Sequence, residues 1–390
     1  CAVPVSFPRA VAMSALLAMS VLSCSHDATA PKVVANGFVS ISAGGGHTCA
    51  LTAAGVAYCW GSNDNGQLGD NTSATHQVTP TLVAGGRTYT SIVAGLDHTC
   101  ALTAAGAAYC WGGNFSGQLG DGTTTQRPVP TLVTGGPTFA SIATGARSNH
   151  NCGISTGGFS FCWGSNGSGQ LGTAANSQSD VPSPVQGGVQ FASMTTGAYH
   201  TCALTKQGSA YCWGADDGEL GIGTPDTTVV RAPTAVQGGL VFGSLSAAID
   251  FNCGIATGGA AYCWGDNANG ELGDGTGIPR TVPVQVQGGP VFTAIASGGG
   301  PHACGLTSAG AAYCWGEGFD GELGNGSNAQ SSAPVAVSGG LVFRTVVAGA
   351  LHSCGLTATG VAYCWGNNGE GELGNGTINS ANIPVEVVAP

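Results

Sequence analysis

Charge is scarce in this 390-residue chain: Lys and Arg together number nine, Asp and Glu twenty, and charged residues make up 7% of the whole. So few cations against a net charge of −11 exclude a duplex nucleic-acid surface, which needs Lys and Arg to neutralise phosphates. Helical periodicity is missing after the N-terminal region, which excludes bundles and helical solenoids. No nucleophile elbow, phosphate loop or zinc motif occurs, so catalysis has no candidate constellation. The shortage of charge does not signal disorder, because 43% of residues are apolar and glycine numbers 68. What remains is a folded, turn-rich protein with a surface of Ser, Thr, Asn, Gln and Gly.

The first 24 residues stand apart. Arg9 precedes the thirteen-residue apolar run Ala10 to Leu22, too short for a membrane span and of the right length for a signal-peptide core. It ends in Val21-Leu22-Ser23-Cys24, which resembles the bacterial lipobox and predicts lipid on Cys24. Leu22 is a less usual residue there, and an ordinary cleaved signal with Cys24 incidental is the other reading. The expected division is residues 1–24 as signal, 25–37 as linker and 38–390 as the folded body. The expected compartment is extracytoplasmic, either a bacterial envelope lipoprotein or secreted, with membrane attachment only through the anchor.

Cysteine is abundant and ordered. Cys49 pairs by spacing with Cys59, Cys100 with Cys110, Cys152 with Cys162 and Cys202 with Cys212. The series continues with Cys253 and Cys263, Cys304 and Cys314, and Cys354 and Cys364. A tryptophan follows each second cysteine, at Trp60, Trp111, Trp163, Trp213, Trp264, Trp315 and Trp365, with a period of 50 to 52. A repeat near fifty residues, rich in Gly and β-formers, signals propeller blades. The expected fold is all-β: a seven-bladed propeller with four antiparallel strands per blade and one disulfide within each.

In the first unit the strands read as A, Phe38 to Ala43; B, His47 to Thr52; C, Val56 to Trp60; and D, Thr79 to Val83. The stretch Thr52-Ala53-Ala54-Gly55 suits a three-residue hairpin loop with Gly55 in the left-handed bulge position. That register places Cys49 opposite Cys59 on a non-hydrogen-bonded pair, where Cα atoms lie ~4.5 Å apart, within reach of a disulfide. Each blade then staples its own hairpin, which requires an oxidising compartment and agrees with export. Metal ligation by these pairs is the weaker reading, since zinc pairs sit closer in sequence. The remaining cysteines are Cys24 and Cys1, the latter leaving with the signal.

The phrase "AYCWGSNDNGQLGDNT" and its partners carry a family resemblance. The order W-G-x-N-x-x-G-Q-L-G, a Pro-containing strand, then A-G-x-x-H-T resembles the repeat of the regulator of chromosome condensation family, in seven copies from Phe38 onward. Gln67, Gln118 and Gln170 match, and Glu219, Glu271, Glu322 and Glu372 replace Gln in the last four copies. The resemblance implies a seven-bladed propeller. The family's founder is a guanine-nucleotide exchange factor that binds chromatin, an activity not carried over to an acidic chain with near-uniform repeats. Secreted relatives that grip another protein with a propeller face are the functional precedent the resemblance offers.

Three residue columns invite chemistry. His47, His98, His150, His200, His302 and His352 form one, with Phe251 in the fifth blade. Equivalent positions lie around a wide ring and Phe251 is apolar, so packing or hydrogen bonding is expected there rather than metal. The tryptophans are expected as inter-blade core. Asn63, Asn65 and Asp70, or Asp266, Asn269 and Asp274, lack the calcium-loop pattern and read as turn formers. No metal and no cofactor is expected.

Fifteen of the twenty acids lie in C–D loops, which share a face with the A–B loops. The functional expectation is therefore non-catalytic binding of an extracytoplasmic protein through that face, by a monomer. Asp216, Asp217, Glu219, Glu322 and Glu372 are the expected rim contacts. Carbohydrate or cell-wall binding is the alternative. Closure is expected by packing alone, with all four strands of the seventh blade drawn from residues 341–388.

Overall fold

A computed structural model describes residues 37–173, 175–223 and 229–390. The signal, Cys24 and nearly all of the linker expected between residues 25 and 37 lie outside these described residues. The B–C hairpin forms as its turn chemistry requires. Thr52 N–H donates to Val56 O at 3.0 Å, Gly55 N–H donates to Thr52 O at 2.9 Å, and Gly55 takes φ 77°. Outward from this turn Leu51 faces Ala57, Ala50 faces Tyr58 and Cys49 faces Cys59.

The same register recurs in every blade and closes all seven expected disulfides. In the first four blades Cys49 bonds Cys59, Cys100 bonds Cys110, Cys152 bonds Cys162 and Cys202 bonds Cys212. In the last three Cys253 bonds Cys263, Cys304 bonds Cys314 and Cys354 bonds Cys364. Their Cα atoms lie 4.0–4.1 Å apart, so each bridge spans facing strands of one hairpin. In the chain-entropy picture each such short loop contributes at most about 3 kcal/mol.

Seven antiparallel sheets follow, each with its strands in sequence order A-B-C-D. The first blade comprises Phe38–Ala43, His47–Thr52, Ala57–Ser62 and His76–Leu82, and the seventh Phe343–Ala348, His352–Thr357, Ala362–Gly366 and Ala381–Glu386. Strand D of the first blade thus begins three residues before the expected Thr79. The C–D ladder runs through a register shift between Cys59 and Gly61 and resumes at Gly61↔Gln77 and Ser62↔His76. The polar residues of that resumed pairing give no apolar signal. Every D strand carries a proline, such as Pro80, Pro233 or Pro384. Proline belongs on an edge, where its missing donor also discourages pairing with another chain.

The A strands of successive blades touch all round the ring, the seventh against the first included, so A lines the central channel. Backbone bonds between neighbouring blades repeat at the closure. Gly45 N–H donates to Gly95 O at 2.9 Å, Ala350 N–H to Gly44 O at 3.0 Å and Phe38 N–H to Gly360 O at 2.9 Å. Phe38, Ile41 and Trp60 share one apolar cluster with Leu356, Leu373 and Val387. The seventh blade supplies its own D strand, as expected, and the ring closes by side-chain packing and backbone hydrogen bonds. Between blades the core is aromatic: a Phe opening the A strand, or Tyr89 two residues before it in the second blade, packs on the tryptophan of its own blade at 5.5–6.1 Å between centroids.

Candidate functional site

The C–D loops form one face with the A–B loops, and their repeated sequence is first of all a blade-to-blade clasp. The second glycine of G-[QE]-L-G takes φ near 65° and lies flat on the tryptophan of the next blade. A Cβ on Gly69 would lie 2.6 Å from Trp111 Nε1, and one on Gly374 would lie 2.7 Å from Trp60 Nε1. Six tryptophans donate Nε1–H to the carbonyl of the preceding blade's Gln or Glu, as Trp60 does to Glu372 O at 2.8 Å and Trp163 to Gln118 O at 3.0 Å. All seven indoles are fully buried, in line with the core expectation. The buried loop Asn explains the turn-former column. Asn63 Oδ1 accepts from Leu68 N–H at 3.1 Å, while its Nδ2 donates to Ala74 O at 3.0 Å. Among the described residues no group of three His, Cys, Asp or Glu is placed to hold a metal.

The histidines also bind blade to blade. His47 Nε2 lies 2.9 Å from Thr99 Oγ1, His150 Nε2 2.8 Å from Thr201 Oγ1, and His352 Nε2 2.8 Å from Thr48 Oγ1. His98 and His200 reach Asn151 and Asn252, and His302 reaches Ser353. Thr99 in turn donates its hydroxyl to Gln67 O at 2.8 Å, so it accepts from the imidazole, which fixes the proton on Nε2. Burial holds these rings neutral. It lowers His47, His150 and His352 from 6.5 to about 3, with neighbouring His contributing, and His98, His200 and His302 to about 4. The column of polar acceptors one residue after the next blade's His was not recognised from the sequence. Its signal was present: Phe251 replaces His in the fifth blade, and the sixth blade alone has an apolar residue, Ala303, at the acceptor position.

Of the five acids expected at the rim, the structure leaves Asp217 exposed and buries Asp216, Glu219, Glu322 and Glu372. The expectation of outward contacts is corrected for these four. The turn draws each Glu carboxylate inward to accept from the backbone N–H two residues earlier: Glu219 from Asp217 at 2.6 Å, Glu322 from Asp320 at 3.0 Å, Glu372 from Glu370 at 2.9 Å. Gln67 Oε1 makes the same bond with Asn65 N–H at 2.9 Å. Asp216 takes the place of the loop Asn, accepting from Gly218 N–H at 3.1 Å. Burial, with neighbouring carboxylates adding to it, pushes Glu219, Glu271 and Glu322 up to about 7, and Glu372 also upward.

The exposed part of the face belongs to other residues. Asp64, Asp217 and Glu370 are exposed, and Asp97, Asp250, Asp266, Glu317 and Asp320 are half-exposed. Three aromatics stand among them: Phe115 (70% exposed), Phe319 (57%) and Tyr199 (54%). The A–B loop of the third blade is two residues longer than that of the first, and it reaches across the channel mouth. There a Cβ on Gly299 of the sixth blade would lie 2.7 Å from Arg147 Cγ. Burial, with like charges beside them, raises the carboxyls of Asp250 and Glu317, and Arg147 offsets part of that rise. Among the described acids, Glu386 alone sits toward the other end of its blade, where it pairs with Tyr363.

An RCC1-like domain profile matches residues 21–290, and regulator of chromosome condensation (RCC1) repeat profiles match residues 309–356, 343–372 and 359–390. The chain is 30% identical to the ultraviolet-B receptor UVR8 of Arabidopsis thaliana over 304 residues, 76% of this chain and 69% of the receptor. It is 29% identical to the human E3 ubiquitin-protein ligase HERC2 over 271 residues, 67% of this chain but 6% of the ligase. Among solved structures, human WBSCR16 superimposes with a TM-score of 0.77 at 22% identity, covering 86% of this chain and 95% of that one. Prp20p of Saccharomyces cerevisiae, studied for its binding to Gsp1p and histones, gives 0.71 at 23% identity, covering 80% of each. At those identities the two structures speak for the fold. Profile coverage and receptor identity together place the chain in the regulator of chromosome condensation (RCC1) family of propellers.

Proposed function

We propose that this protein is an exported, lipid-anchored, non-catalytic scaffold that binds another protein through its A–B/C–D face. One observation carries the reading: the described acids, apart from Glu386, gather on the loop side together with exposed Phe115, Tyr199 and Phe319. Aromatic anchors ringed by like charge, held on a rigid closed ring, have the makeup of a protein-recognition surface. The sign of the charge favours a partner with a basic patch, which it would also steer into encounter. The UV-B receptor relative and the Gsp1p- and histone-binding propeller accord with this kind of role, without fixing the partner.

Export and anchoring rest on the sequence: the apolar run Ala10 to Leu22, the lipobox-like end at Cys24, and fourteen cysteines paired as disulfides suited to an oxidising compartment. The test is capture of extracytoplasmic proteins on the immobilised propeller, repeated with Asp217→Asn and Phe319→Ala. A partner retained by the parent protein and lost from the double variant supports the reading; equal capture by both overturns the assignment of this face. Glycan binding is the second reading, favoured by the exposed aromatics. Competition of the captured partner by excess free sugar separates the two.

A further inference from the structure

The face opposite the acids has a different chemistry. There the D–A connection lies on the glycine that ends the previous blade's B–C turn at Gly55, Gly106, Gly208, Gly259 and Gly310, while nothing lies within 4 Å of a Cβ on Gly158. The residue in contact is Thr88 on Gly55 and Thr138 on Gly106, but in three consecutive later blades it is valine. Val241 sits on Gly208, Val291 on Gly259 and Val342 on Gly310, where a Cβ on the glycine would meet the valine methyl at 2.4–2.7 Å. They form an arc across blades four to seven, and they are 44%, 66% and 61% exposed. Phe159, in the third blade's turn, is 65% exposed. Among the described residues the exposed charges here are the cations Arg87, Lys206 and Arg344, with Glu386 near the edge. The described chain also enters on this face, at Gly37 against Gly360 of the seventh blade. In the sequence before it come the linker Ser25 to Asn36 and the apolar run Ala10 to Leu22.

We infer that this apolar, cation-bearing face seats on the anionic phospholipid bilayer that holds the protein, and so turns the acidic binding face outward. The inference rests on the lipid-anchored reading above. Fully extended, a twelve-residue linker reaches ~40 Å, slack enough for the propeller to present either face. Orientation is therefore decided by the faces themselves. Val241, Val291, Val342 and Phe159 enter the headgroup boundary, a zone ~5–10 Å deep, while the cations meet anionic headgroups. The opposite face is repelled by the same charge. Contacts this shallow hold only because the anchor supplies a high local concentration.

The test attaches the propeller to vesicles of phosphatidylglycerol and phosphatidylethanolamine. An N-terminal hexahistidine replaces residues 1–24 and is held by a nickel-chelating lipid. Brominated lipids report contact through quenching of a tryptophan placed as Val291→Trp on one face or Ala268→Trp on the other. The seven native tryptophans are buried and give a common baseline. Quenching about threefold stronger at Val291→Trp, reduced to the Ala268→Trp level by Arg87→Glu with Lys206→Glu, is the expected result for a shallow interfacial contact. Equal quenching at both positions overturns the inference. So does a doubled mass without vesicles, which would show the arc to be covered by a second copy. Because the nickel lipid replaces the native anchor, a failure of Cys24 lipidation leaves this outcome unchanged. That failure is read separately, as identical membrane fractionation of the native-signal protein and its Cys24→Ser form.

Discussion

Phe251 of the fifth blade and Ala303 of the sixth pack in one apolar cluster, at the boundary where the other blades place a histidine against a hydroxyl or amide. The two changes are matched: an imidazole facing Ala303 would lose its acceptor, and a hydroxyl facing Phe251 would lose one of its partners. Phe251→His alone therefore buries an unpartnered donor and is expected to cost about 1–3 kcal/mol. Adding Ala303→Thr supplies the acceptor and recovers part of that loss, with a coupling of about 0.5–3 kcal/mol. Denaturant unfolding of the four proteins of this cycle, with disulfides intact, measures the coupling. Strict additivity would show that the pair is independent.

Two glycines with nearly the same backbone separate steric clash from strain. Gly69 has φ 68° and Gly86 has φ 61°, both left-handed. A Cβ on Gly86 meets nothing within 4 Å, whereas one on Gly69 lies 2.6 Å from the buried Trp111 ring. Gly86→Ala should cost about 1 kcal/mol for the backbone conformation. Gly69→Ala carries that cost plus displacement of Trp111, and a total of about 3 kcal/mol or more is expected. Equal losses on unfolding would show that the indole yields freely.

The sequence announced what repeats locally. Hairpin register followed from the turn at Gly55, and the Cys49–Cys59 bridge from that register, because both depend on residues a few positions apart. Burial of Trp60 and its equivalents followed from one aromatic per blade. The direction in which Glu219, Glu322 and Glu372 point could not be read, because a charged residue in a polar loop looks the same whether it faces water or caps a backbone N–H. Arg147 was hidden for another reason. Its contact with Gly299 joins blades three apart across the channel, and no local pattern encodes that distance.

Closure gives a third prediction. Val387 N–H donates to Ala362 O and Val388 N–H to Gly374 O, each at 2.9 Å, and Val387 lies in the cluster that joins the seventh blade to the first. Deleting Ile383 to Pro390 should therefore bare the edge of strand C, lower the melting temperature and promote aggregation. Deleting Ser25 to Asn36 should leave the melting temperature nearly unchanged. Scanning calorimetry with light scattering compares them, and greater damage from the N-terminal deletion would mean that the ring closes through that segment instead.

Two sets of buried groups pull stability in opposite directions with pH. The six histidines titrate below their ordinary 6.5 in the folded protein, at about 3 to 4. Their contribution is complete above pH 6.5 and is lost as pH falls through the folded values, because the unfolded chain takes up protons first. Glu219, Glu271 and Glu322 titrate above their ordinary 4.5, at about 7. Their contribution is complete below pH 4.5 and is lost as pH rises through 7. Burial is the main cause, and facing carboxylates add to it: Asp216 and Asp250 at Glu219, Asp266 and Asp250 at Glu271, Asp320 and Glu317 at Glu322. Between 4.5 and 6.5 the trends oppose, and six imidazoles outweigh three carboxyls, so stability should climb through this range and flatten near pH 7, where the last of the imidazole gain balances the carboxyl loss. From there to about pH 8 the two nearly cancel, and stability should stay almost level. Replacing the three glutamates by glutamine, the residue that makes the same backbone bond as Gln67, Gln118 and Gln170, should steepen the climb between pH 4.5 and 7 and leave the limb below pH 4.5 unchanged. Melting temperatures from pH 4 to 9 for parent and triple variant decide it: an unchanged slope between pH 4.5 and 7 in the variant would place the responsible groups elsewhere.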